Sequence, residues 1–186
     1  MKKLLTTLMV LALELSLCAC GSNPNTSTVN NTTTTGNWEA QLTGGTEQAS
    51  LLNFVVTFTV TNSGPLDITG LGFFNQSACF SNLATDQTET GTASFTTSNA
   101  GQVTGTLSLN IKSNTNASVL ALSGQLTGTS NGTTTTVGSL TQGVVVGTWT
   151  LTPGTNASSC NSGTGNFVMC QGAATCSVTP AVAERL

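Results

Sequence analysis

In 186 residues the chain carries four Lys or Arg, seven Asp or Glu, no His and no Tyr, for a formal net charge of −3. Nucleic-acid binding needs clustered cations to neutralise phosphates, and beyond Lys2 and Lys3 only Lys112 and Arg185 are available, so that class is excluded. Without histidine there is no Ser-His-Asp or Cys-His machinery and a poor ligand set for zinc, so no metal, no cofactor and no catalytic residue is assigned.

The chain opens MKKLLTTLMVLALELSLCACGSN. Lys2 and Lys3 form a positive n-region, and Leu4 to Leu17 is an apolar run shorter than the roughly 20 residues a spanning helix requires. The pattern predicts an export signal. Leu17-Cys18-Ala19-Cys20 then resembles the lipobox of bacterial lipoproteins, with Leu three residues before and Ala one residue before the modified cysteine. The resemblance implies removal of residues 1–19 by signal peptidase II. It also implies a diacylglyceryl thioether with a further palmitate-type amide chain on Cys20. At about 0.8 kcal/mol per buried CH₂, two or more chains hold stably, so the protein would be anchored to a membrane without spanning it. Gly21 stands where some lipoproteins carry an inner-membrane retention aspartate. The resemblance therefore points to the outer membrane of the cell envelope, facing the periplasm or the cell surface.

Residues 20–35 follow as a Thr/Asn-rich stretch, "GSNPNTSTVNNTTTT" after Cys20, with too little apolar content to order itself; it reads as a disordered, flexible tether. Residues 36–186 read as one antiparallel β domain. Asn37 to Leu42 is the first predicted strand. In "LLNFVVTFTVTN", Leu52, Phe54, Val56, Phe58 and Val60 share one face and Asn53, Thr57, Thr59 and Thr61 the other, the pattern of a half-buried strand. Ile68 to Phe74 and Thr92 to Thr97 follow. Asp86 and Glu89 between them are the only close acid pair. Two carboxylates can hydrolyse glycosides or help hold Ca²⁺, but here they read as a solvated turn before Thr92.

Val103, Leu107, Leu109 and Ile111 form the inward face of the next strand, and Leu120, Leu122 and Leu126 that of its partner. The polar turn Ser113 to Ser118 predicts an antiparallel hairpin. Asn131-Gly132 predicts a type I′ turn joining a strand that ends near Thr129 to one that begins near Thr133, since both residues tolerate positive φ. Val144 to Leu151 and Asn166 to Met169 complete the set, while "SGTGNF" lacks the strand–loop–helix context of a phosphate loop and reads as a turn. About eight or nine strands with short polar links predict an all-β fold, a single antiparallel barrel or sandwich.

Four cysteines fall in the domain. An even count in an oxidising compartment reads as two disulfides with three possible pairings, of which Cys79–Cys160 and Cys170–Cys176 are preferred. Loop-closure entropy assigns roughly 4–5 kcal/mol to the first and about 2–3 kcal/mol to the second.

Gly36-Asn37-Trp38 resembles the Gly-x-Trp element on the first strand of lipocalins, barrels that carry apolar ligands, and "GTWTL" with Trp149 echoes it near the end. The resemblance implies Trp38 and Trp149 as ligand-lining residues. The alternative is that first and last strands pair to close a sheet with one Trp each in the core. The leading functional expectation is a non-enzymatic lipoprotein with a structural, surface or protein-interaction role. A carrier of a small apolar ligand is the second reading. A carbohydrate-binding module, resting on solvent-facing Phe73 and Phe74, is the third.

Overall fold

Period-two alternation dominates this chain because β-branched Thr and Val favour extended backbone and fit a pleated surface. The structure is a computed structural model that describes residues 32–34, 36–45, 48–61, 63–131 and 138–172. The leader, Cys20, most of the tether, Gly132 and Cys176 lie outside the described residues. Ten strands form: β1 (Thr32–Thr34), β2 (Asn37–Thr43), β3 (Phe54–Thr61), β4 (Gly64–Pro65), β5 (Asp67–Phe73), β6 (Gln87–Thr97), β7 (Gln102–Ser113), β8 (Val119–Ser130), β9 (Gly138–Thr152) and β10 (Gly163–Gln171).

From β6 to β10 each strand pairs antiparallel with the next, and β10 pairs with β2, which pairs with β3. The limb β4–β5 completes the circuit: Gly64 and Pro65 pair with β6, and Asp67 to Phe73 pair with β3. The fold is thus an all-β, mostly antiparallel sheet curled most of the way into a ring, an arrangement that limits exposed strand edges to the seam. β1, in the stretch expected to be tether, spans one end of it. Beyond Asn37 and Gln171, where β2 and β10 stop, β1 lies antiparallel to β3 and parallel to β9. Thr34 is buried there.

The inward faces are filled by large side chains. Trp38, Phe54, Phe58, Trp149 and Phe167 are fully buried, and Trp38 stacks on Phe58 with ring centroids 5.3 Å apart. Burying such a side chain contributes roughly 1.5–3 kcal/mol, so these rings hold the ring of strands together. They fit because glycines face them across the strands. Gly165 is the register partner of Trp149, and a Cβ there would lie 2.7 Å from the indole Nε1. Gly105 pairs with Phe95 in the same way, its missing Cβ only 2.6 Å from the Phe95 Cβ. A Cβ on Gly143 would collide with the Trp38 ring. Small residues opposite large ones are how a narrow barrel accommodates its interior.

Several sequence expectations change. "SGTGNF" is the start of β10, not a turn, because Gly163 and Gly165 are the small partners of inward side chains on β9. β6 begins at Gln87 instead of Thr92: its inward positions Gln87, Glu89 and Gly91 are polar or small and hide the alternation. Glu89 therefore sits within a strand, while Asp86 ends a 3₁₀ turn (Ala84–Asp86), so the two acids do not share a loop. Leu52 belongs to a second 3₁₀ turn, Ala49–Leu52, and β3 starts at Phe54. Ser130 pairs with Leu140 rather than with Thr133, and β9 begins at Gly138, so β8 does not turn back at Asn131-Gly132; residues 132–137 lie outside the described residues. The sheet closes as the end-to-end reading requires, yet β2 meets β10, with the Trp149 strand one place further on.

Candidate functional site

One end of the ring is closed by connections 74–86, 114–118 and 153–162. Cys79 and Cys160 form the expected disulfide, with Cα atoms 4.9 Å apart, and both are buried. Asn116 Nδ2–H donates to the Cys79 carbonyl at 3.1 Å, and the Gly154 N–H donates to Ser118 Oγ at 3.1 Å, so the β7–β8 turn is tied to both bridged loops. Phe80, one residue past the bridge, stacks on Phe73 at 4.8 Å and seals the core beneath. Phe73 is accordingly buried and Phe74 alone is exposed, which removes the paired aromatic platform on which the carbohydrate reading rested.

Trp38 and Trp149 are both fully buried core residues. The Trp149 Nε1–H donates to the Thr43 carbonyl at 3.1 Å, across the notch left by Gly165. The Trp38 indole N–H is buried without an acceptor. Cys170 is buried in β10 and is disulfide-bonded; the pairing expected for it, with Cys176, falls outside the described residues. Gln171 is a residue the sequence reading passed over. Its Nε2–H donates to the Leu140 carbonyl at 2.9 Å and its Oε1 accepts from the Gly143 N–H at 3.1 Å. It thereby bridges the irregularity where Gln142 has a φ of 52°.

The titratable site is at the seam of the ring. The Leu66 N–H still donates to the Gly91 carbonyl at 2.9 Å, but from Asp67 onward the limb leaves β6 and follows β3. The divergence opens a cleft of about 230 Å³ lined by Ile68 and Leu71, the hydroxyl-bearing Thr69 and Thr85, and Glu89. Glu89 lies on the inward face of β6, opposite Ile111. Burial raises its pKa above the ordinary carboxylate value of 4.5, and a hydrogen bond from its own backbone N–H pulls the other way. An inward charge at an open strand edge also discourages a foreign strand from adding there.

Lys112, the cation among the described residues, is exposed opposite Thr88, on the other face of the sheet from Glu89. A second cleft, about 410 Å³, lies between Gly45, Thr150, Thr152 and Thr164 and contains no titratable group. Among the described residues no three Cys, Asp or Glu side chains converge as a metal site requires. No protein-family model matches the chain, and no curated protein or solved structure matches it either.

Proposed function

We propose that this protein is a membrane-anchored lipoprotein whose β domain serves a non-enzymatic structural, surface or protein-interaction role. The observation that carries the reading is the sequence Leu17-Cys18-Ala19-Cys20 at the end of a positively started apolar run. Cys20 is the lipidated residue in this reading, and the cell envelope, at its outer membrane, is the location. The filled ring favours such a role over that of a carrier. A carrier's cavity of some hundreds of Å³ would be lined by the inward positions. Trp38, Phe54, Phe58, Trp149 and Phe167 are there instead, each fully buried, which leaves no water-sized space against them.

The test is the intact mass of protein extracted from membranes. The expected mass is that of a chain beginning at Cys20 plus its acyl groups, with Cys20→Ala shifting the protein out of the membrane fraction. An unmodified chain, or a Cys20→Ala variant that stays fully membrane-bound, overturns the reading.

A further inference from the structure

The cleft at the seam combines features that a structural gap does not need. Its walls are aliphatic on the β5 side, through Ile68 and Leu71, and carry two hydroxyls, Thr69 and Thr85. Glu89 lines it, and among the described residues it has no ion-pair partner, since Lys112 is on the opposite face of the sheet. Glu89 is the acidic residue among those that line the cleft.

We infer that the seam cleft binds an organic ammonium group on a short aliphatic stem, with Glu89 as its counter-ion. Size selects this class. At about 230 Å³ the cleft is smaller than the roughly 300–1,000 Å³ of pockets for drug-sized ligands, and it suits an ammonium on a stem of about four carbons. Chemistry selects the charge. An ammonium has three donors; the carboxylate accepts one and the Thr69 and Thr85 hydroxyl oxygens are available to accept the others. Thr69 directs its own proton to the Thr57 carbonyl at 3.4 Å, leaving its lone pairs available. A guest cation would also reverse the desolvation penalty on Glu89, so binding near the pH at which Glu89 titrates would release a proton.

The inference does not depend on whether Cys20 carries lipid, because binding is read on the detergent-solubilised intact chain. Calorimetric titration with n-butylammonium, in two buffers of different ionisation enthalpy, should give saturable binding with proton release. Glu89→Gln should weaken it at least ten-fold, Glu39→Gln on β2 should leave it unchanged, and uncharged n-butanol should not bind. A blocked Gly-Lys-Gly peptide tells the two sources of this chemistry apart. Binding of the peptide marks a lysine side chain of a protein partner as the guest, and binding of butylammonium alone marks a free amine. No saturable binding of either probe, or equal binding by Glu89→Gln, overturns the inference.

Discussion

Removing the Cys79–Cys160 bridge tests how the closed end of the ring is held. The bridged residues are 81 positions apart. Cross-linking a loop of that length lowers the entropy of the unfolded chain enough to stabilise the native state by about 4.5 kcal/mol. Both cysteines are buried, so Cys79→Ala/Cys160→Ala adds a small packing loss and deprives Ser118 Oγ–H of its weak acceptor, Cys160 Sγ at 3.5 Å. At the 2–4 °C per kcal/mol typical of a domain this size, the melting midpoint should fall by roughly 9–18 °C. Calorimetry of the double variant beside the oxidised and reduced wild type checks this, and reduction, which also opens the Cys170 bridge, should lower the midpoint at least as far. A midpoint lowered by less than about 3 °C, under about 0.8–1.5 kcal/mol on the same scale, would refute the chain-entropy argument and place the stability of this end in the Phe73–Phe80 stack and the Asn116 contacts alone.

Gly147 pairs with Gly124, and a Cβ on it would run into the backbone of Ser123 and Gly124, which cannot move cheaply. Gly147→Ala should therefore destabilise by at least about 1–3 kcal/mol in urea denaturation, and an unchanged midpoint would contradict the close approach of β8 and β9. Glu89 predicts a pH dependence. Its folded pKa is raised, so the folded state holds the proton more tightly than the unfolded chain. The resulting stability is present below 4.5 and is lost as pH rises through the folded value. Wild type should thus melt lower at pH 7 than at pH 4.5 by this contribution, while Glu89→Gln should lose that part of the slope and exceed wild type at pH 7. A variant less stable than wild type at pH 7, with the slope intact, would show that burial does not govern this carboxylate.

The sequence alone determined the class of backbone and most strand positions. Where inward residues are large and apolar, as in Phe54 to Val60 or Leu107 to Ile111, alternation with Thr and Ser marks face and strand together, and the Ser113–Ser118 turn sets the register of its hairpin. It also supplied the Cys79–Cys160 pairing. The stretches it misread have inward positions that are not apolar, each set by residues outside the strand. Gly165 in β10 and Gly91 in β6 leave room for the Trp149 indole and for Leu66, Gln87 is buried with its amide N–H on the Ser81 carbonyl, and Glu89 borders the seam cleft. No local pattern reports a neighbour's indole. The seam cleft was hidden for the same reason: Glu89 became a half-buried carboxylate only when β4 and β5 divided their hydrogen bonds between β6 and β3. Which residues alternate is a property of the chain, whereas which glycine meets which tryptophan, and where the ring gapes, depends on strands that are distant in sequence and adjacent only in the fold.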